Sequence, residues 1–139
     1  MNTLKAAGLI ALGMAIGAGG MALAQITLPA PNGGLQAQAL GSIDLGKAFP
    51  VMAGYSLSLR MTTVPPGAGR ALHSHKDSPE IIHVVSGVLT EQRDGHPPEM
   101  LGPGANAIND ETVSHAILNQ GAAPVVFYAT SVSKTAPAK

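Results

Sequence analysis

Three histidines and one glutamate stand at a spacing that suits a metal site. His73 and His75 are two residues apart in a strand-like segment, so both imidazoles leave the same face of that strand. Glu80 opens the next strand-like segment after a short polar connection, and His115 lies in a later one. Three neutral imidazoles and a carboxylate form a mixed nitrogen and oxygen donor set. Such a set suits a divalent first-row metal, namely Fe, Mn, Ni, Co, Cu or Zn.

Each of these residues also has an interpretation without a metal. His73 and His75 could form an exposed polar strand face, Glu80 a solvated turn carboxylate, and His115 a hydrogen-bonded core histidine. Each alternative is reasonable for one residue alone, but the four together favour metal binding.

The two remaining histidines are predicted to stay outside the site. His83 is three residues after Glu80, so period-2 alternation places it on the opposite face of the same strand. His96 follows Asp94-Gly95 and precedes two prolines, which predicts a solvated hairpin tip.

The elements that would position these residues are short strands joined by turns. Tyr55, Leu57, Leu59 and Met61 alternate with polar residues and predict one strand. Further strands are predicted over residues 71–75, 80–85, 88–93, 104–109, 113–119 and 125–132. Glycine, proline and asparagine punctuate the chain between them, which indicates an all-β barrel or two-sheet sandwich.

Composition excludes several classes of protein. The 139 residues include 17 Gly and 11 Pro, which argues against a helical bundle. Lys plus Arg and Asp plus Glu each number 8, so no basic surface is available and a nucleic acid partner is not expected. The absence of cysteine means that disulfides cannot stabilise the fold.

The N-terminus has the features of an export signal. Lys5 precedes an uncharged apolar run, and Ala22-Leu23-Ala24 supplies small residues for cleavage before Gln25. The alternative is an uncleaved membrane anchor, although four glycines weaken the run as a helix. We expect a periplasmic or secreted protein without stable membrane association after cleavage. The predicted organisation is a signal peptide over 1–24, a lead-in over 25–48, a barrel over 49–132 and a flexible tail over 133–139.

The apolar side of the first predicted strand must be covered by something. Tyr55, Leu57, Leu59 and Met61 would pack either against the core of the same chain or against a second subunit. We expect a homodimer on this basis.

At the candidate ligands the sequence resembles the cupin superfamily. The first cupin motif is matched in full by Gly67, His73, His75, Glu80 and Gly87. The resemblance spans Tyr55 to about Val132 and is closest to small single-domain cupins of the quercetin-dioxygenase-like kind.

The second cupin motif is matched in part. Gly104, His115 and Asn119 stand at its spacing, but Asp110 and Thr112 replace the proline and glycine of its central turn. This departure affects a loop at the mouth of the barrel and not a ligand. Asn119 is interpreted as a structural hydrogen-bonding residue.

The resemblance implies a jelly-roll β-barrel of six to eight strands. It also implies a metal held inside by His73, His75, Glu80 and His115. Four protein ligands on a metal that prefers six leave positions for water or substrate, as Lewis-acid chemistry or dioxygen activation requires.

Two functions remain open from the sequence. One is a metal-dependent oxygenase or isomerase acting on a small molecule, with Glu80 as the catalytic residue. The other is a cupin module that binds a metal or small molecule without turnover, because a scaffold alone does not determine the chemistry.

Overall fold

The structure, a computed structural model, describes residues 33–135. The predicted signal peptide, the first part of the lead-in and the last four residues of the tail lie outside the described residues. The described chain contains one short helix, α1 (Leu45–Ala48), and a 3-10 turn over Pro50–Met52. Its nine strands are β1 (Gln36–Asp44), β2 (Tyr55–Val64), β3 (Gly69–Ser74), β4 (Glu80–Ser86), β5 (Leu89–Arg93), β6 (Glu99–Leu101), β7 (Asn106–Asn109), β8 (Ser114–Leu118) and β9 (Val125–Lys134).

The strands form two antiparallel sheets. One sheet has the order β1-β2-β9-β4-β7 and the other the order β3-β8-β5-β6. The inner faces of both sheets contribute to one apolar core, so the sheets pack face to face as a jelly-roll barrel. The predicted all-β jelly-roll fold is thereby confirmed. Within residues 33–135 no helix has the length and apolar character needed to cross a membrane.

The core follows from alternation along the strands. In β4, Ile82 and Val84 are buried while Ile81, His83 and Val85 are exposed, which is the pattern of a strand with one solvated face. Strands β2 and β5 to β9 add the other members of the core cluster, which are Val64, Leu89, Leu101, Ala107, Ile117, Val125, Phe127 and Ala129.

The structure shows whether the apolar side of β2 packs against the core of its own chain. Ser56, Thr62 and Val64 are the buried residues of this strand, and they lie on the side that carries its polar residues. Leu59 is exposed on the other side and Leu57 is half-buried there. The alternating apolar residues therefore do not face the core of their own chain.

The lead-in contributes the edge strand β1, which pairs with β2. The differences from the predicted strands include β6 and the end of β9. Strand β6 was not predicted, because it has only three residues and follows Pro97-Pro98. Strand β9 continues to Lys134 because Tyr55 and Ser56 of β2 pair with Lys134 and Ser133, so the predicted tail begins two residues too early.

One glycine and one asparagine hold the turns that follow the last residues of β4 and β8. Gly87 has a φ of 76°, and a Cβ there would lie 2.7 Å from the Pro124 carbonyl oxygen, so no other residue fits without displacement. Asn119 is fully buried. Its Nδ2 donates to the carbonyls of Val64 and Ala123, each at 2.8 Å, which confirms the structural role predicted for it.

Candidate metal site

Two neighbouring strands bring the three predicted histidines together. His73 lies on β3 and is directly opposite His115 on β8, and His75 follows β3 immediately. The candidate ligand atoms of the three residues all lie within 4.8 Å of one another. His75 and His115 are only 4% and 1% exposed, so the group sits inside the barrel.

An oxygen acceptor fixes the orientation of each imidazole. The Nδ1 atoms of His73 and His75 donate to the carbonyl oxygens of Ala71 at 2.9 Å and Ser78 at 2.8 Å. The Nδ1 of His115 donates to the Oε1 of Glu91 at 2.6 Å. A hydrogen on Nδ1 leaves the Nε2 lone pair free in a neutral imidazole. All three histidines are thus held in the tautomer that can bind a metal through Nε2.

The spacing of the nitrogens fits a single ion. The Nε2 atoms of His75 and His115 lie 2.9 Å apart. Two nitrogens bonded at about 2.1 Å to one ion, at right angles, are separated by about 3 Å. Two lone pairs at this distance repel each other unless a cation lies between them. The donor set therefore fits a divalent transition metal, and its chemistry does not distinguish among Fe, Mn, Ni, Co, Cu and Zn.

The surroundings keep His73 and His75 uncharged near neutral pH. Burial lowers the pKa of His73 from 6.5 to about 4, and the charges of Arg70, His115 and His75 act in the same direction against the opposing hydrogen bond to Ala71. Burial also lowers the pKa of His75, and again the nearby His115 and Arg70 contribute. A neutral imidazole is the form that binds a metal.

Glu80, the predicted fourth ligand, lines the same cavity but has another partner. It is buried at the start of β4, and its Oε2 accepts a hydrogen bond from the guanidinium of Arg60 on β2. Among the described residues, the group whose ligand atoms converge contains the three histidines and not Glu80. The structure thus places Glu80 beside the histidines, while its role as a ligand stays a prediction.

The structure adds Glu91, which sequence reasoning missed. Glu91 is buried on β5, where its Oε1 accepts from His115 and its Oε2 accepts from the Nε of Arg93 at 3.1 Å. Burial raises the pKa of Glu91, but the bonds and charges of His115 and Arg93 outweigh burial and lower it overall. The available signal was alternation, since Glu91 shares its strand face with the core residue Leu89.

A cavity of about 400 Å³ opens beside the histidines. Its wall combines apolar and polar side chains from both sheets. Ile117 and Phe127 provide the apolar part, and Arg60, Thr62 and Arg70 are among the polar residues. A space of this size accommodates a small molecule next to the three nitrogens.

The residues predicted to lie outside the site do so. His83 is exposed on the outer face of β4, where its Nδ1 contacts the Oδ1 of Asn106 at 2.8 Å. His96 is exposed in the turn between β5 and β6. Where the second motif lacks its proline and glycine, the Oδ1 of Asp110 accepts from the backbone N–H of Thr112 at 2.9 Å and thus forms the turn before β8.

A comparison of the sequence with models of protein families shows the family to which the chain belongs. A model described as a cupin domain matches residues 60–131, which include all three histidines. The chain belongs to the cupin family. No curated protein is similar enough to this cupin to count as a match.

Solved structures share the fold of this cupin at low sequence identity. The Cnp3 cupin domain of Schizosaccharomyces pombe is 16% identical, with a TM-score of 0.60 over 83% of this chain and 69% of that one. A cupin 2 conserved barrel domain protein from Salinispora arenicola CNS-205 is 21% identical, with a TM-score of 0.54 over 75% and 79%. KdgF from Halomonas sp. is 18% identical, with a TM-score of 0.56 over 70% and 78%. These similarities establish the barrel and no specific activity.

Proposed function

We propose that this cupin is a metal-dependent enzyme acting on a small molecule in the cavity beside the histidines. The observation that carries the proposal is the set of three Nδ1 hydrogen bonds, which turn three Nε2 lone pairs toward one point. A bound divalent metal would supply Lewis-acid chemistry or dioxygen activation there, and an oxygenase or isomerase reaction is the class we propose.

The residues around the cavity would have different roles in this function. His73, His75 and His115 hold the metal, and Glu80 completes the set as a fourth ligand or serves as the catalytic acid or base. The guanidinium of Arg60 contacts the carboxylate of Glu80 and fixes its position in the cavity wall. Ile117 and Phe127 exclude water from one side of the bound molecule.

One experiment separates the two roles of Glu80 and tests the proposal. We would purify the wild type and Glu80→Gln, measure metal by elemental analysis and screen both for oxygen consumption and isomerisation over small-molecule libraries. We expect one metal per chain in the wild type, and about 100-fold or greater loss of turnover in Glu80→Gln with metal retained if Glu80 is an acid or base. Loss of metal from Glu80→Gln would instead show that Glu80 is a metal ligand.

A binding module without turnover is the second candidate. It is favoured by the ion pair between Arg60 and Glu80, which engages the only acid or base that we assign to the cavity. A wild type that holds one metal and tightly binds small molecules, but converts none of them, would support this candidate and contradict the enzymatic proposal.

We further propose that the protein is exported and matures by cleavage before Gln25. The support is the uncharged run that follows Lys5 and the small residues Ala22 and Ala24. The mass of protein recovered from the periplasm or medium tests this, because the mature chain would begin at Gln25. A full-length mass found in the membrane fraction would contradict export with cleavage.

We also propose a homodimer that forms through the outer face of the five-stranded sheet. Ile81 and Ile108 are paired across β4 and β7 on this face and are both exposed, and Leu59 and Tyr128 are exposed on the same face. Exposed apolar side chains on one sheet face favour association with a second copy.

A further inference from the structure

An irregularity in β3 turns Arg70 into the cavity. Arg70 is paired with Ile117 and His73 with His115, so three steps along β3 correspond to two steps along β8. Regular alternation would place residues three apart on opposite faces of the strand. The β-bulge between them instead brings Arg70 and His73 to the same inner side, and both line the cavity.

The charge of Arg70 is not balanced by the protein around it. Arg60, the other arginine of the cavity wall, is neutralised by Glu80. Across residues 33–135, no carboxylate lies within ion-pair distance of the guanidinium of Arg70. The cavity thus carries an excess positive charge, which attracts an anionic ligand.

A buried hydroxyl in the same wall also lacks a hydrogen-bond partner among the described residues. Thr62 is only 2% exposed, and its Oγ1 has no hydrogen-bond partner among the described residues. It lies on the inner face of β2, next to the Arg60 and Glu80 pair along the cavity wall. A buried hydroxyl without a partner is unfavourable, so a ligand that accepts its hydrogen bond would bind more tightly.

We propose that Arg70 and Thr62 bind the carboxylate of a small organic acid, whose remaining part lies beside the three histidines. This proposal rests on the proposed function and names the substrate class of that site. A guanidinium offers two parallel N–H donors that match the two oxygens of a carboxylate. One unpaired guanidinium and one hydroxyl suit a singly charged group better than a doubly charged phosphate.

The test uses propionate, with its neutral amide propionamide and inorganic phosphate as the comparison ligands. Zinc-loaded and metal-free protein, both labelled with nitrogen-15, are titrated with each ligand and followed by NMR, including the Nε–H signal of Arg70. Zinc content is measured first. The variants are Arg70→Gln, Arg70→Lys and Thr62→Val, and Lys47→Gln removes the same charge from the exposed helix α1 as the control.

We expect propionate to bind the wild type and Lys47→Gln equally and to shift the Nε–H signal of Arg70. Arg70→Gln should weaken binding about 10- to 100-fold, Arg70→Lys less, and Thr62→Val several-fold. Propionamide should bind at least about 10-fold more weakly than propionate.

The failures of the two proposals are distinguishable. A wild type that holds no zinc contradicts the proposed metal function, while titration of the metal-free form still tests Arg70. Equal propionate affinity in the wild type and Arg70→Gln, or binding that disappears only on metal removal, would overturn the assignment to Arg70. Phosphate binding more tightly than propionate would overturn the carboxylate assignment.

Discussion

The orientation of His115 depends on a residue that does not itself approach the metal position. Glu91 accepts the Nδ1 hydrogen of His115 at 2.6 Å and is held in turn by Arg93. Such a partner fixes the tautomer of a ligand histidine and raises its basicity. Glu91 is therefore a positioning residue for the site.

Glu91→Gln should weaken metal binding about 10- to 100-fold, because a neutral amide accepts the hydrogen of His115 less strongly than a carboxylate does. Competition with a chelator of known affinity measures this. Glu99→Gln is the matched control, since Glu99 lies opposite Glu91 on β6 but is exposed. Equal metal affinities for both variants and the wild type would refute the role of Glu91.

The low pKa of His73 predicts how the stability of metal-free protein depends on pH. The folded chain keeps His73 neutral down to about pH 4, whereas the unfolded chain takes up a proton near pH 6.5. Because the unfolded state binds more protons in this interval, the free energy of unfolding should fall as pH decreases from 6.5 toward 4 and be level above 6.5. Urea unfolding at several pH values measures the slope. His73→Gln should flatten the slope, and an unchanged slope would show that His73 is not its source.

At the scale of elements, one bulge helps to position the site, and one glycine turn lies at the end of β4 opposite Glu80. Gly87 allows the turn between β4 and β5 to pass close to Pro124 and Val125. The bulge in β3 directs both Arg70 and His73 into the cavity. The orientation of Arg70 and His73 thus depends on one irregular point of an otherwise regular strand.

Gly87→Ala should destabilise the fold more than Gly95→Ala. Both glycines have a positive φ, which costs an alanine about 1–2 kcal/mol. Only at Gly87 would the new Cβ also meet backbone, at 2.7 Å from Pro124 and 2.9 Å from Val125, whereas nothing lies within 4 Å at Gly95. We expect a loss of about 2 kcal/mol or more for Gly87→Ala. Urea unfolding of both variants compares them, and equal losses would argue against the close contact.

Alternation and turn residues were sufficient to predict most strands and the shared face of His73 and His75, while the resemblance to cupins implied that His115 joins them. His73 and His75 share a strand face by their spacing, and this needs no knowledge of the partner strand. The bulge at Arg70 could not be predicted, because it exists only in the register between β3 and β8. The same holds for Glu91 and Arg60, whose partners lie 24 and 20 residues away along the chain.

At the scale of the whole molecule, one face of the barrel is unusually apolar for a solvated surface. The outer side of the five-stranded sheet exposes Ile43, Leu59, Ile81, Ile108 and Tyr128. The polar side of β2 faces inward instead, where Arg60 and Thr62 line the cavity. The inverted pattern of β2 is what leaves its leucines on the surface.

The proposed homodimer predicts a different effect for two exposed apolar residues. Ile108→Lys places a charge on the outer face of the sheet and should convert a dimer into a monomer. Val51→Lys should not, because Val51 is 90% exposed in the 3-10 turn and is not part of that sheet, whereas Ile108 is 62% exposed within it. Light scattering at micromolar concentration measures the mass of each. A monomeric wild type would reject the dimer.

The metal content of three proteins tests the central claim most directly. Wild type, His115→Ala and His83→Ala are purified in the same way, loaded with zinc, passed through a desalting column and measured by elemental analysis, with circular dichroism as the check of folding. The three-histidine site predicts one zinc per chain in the wild type and in His83→Ala, because His83 lies on the outer face of β4. It predicts a large loss of zinc from folded His115→Ala. Equal zinc in the wild type and folded His115→Ala would contradict the site.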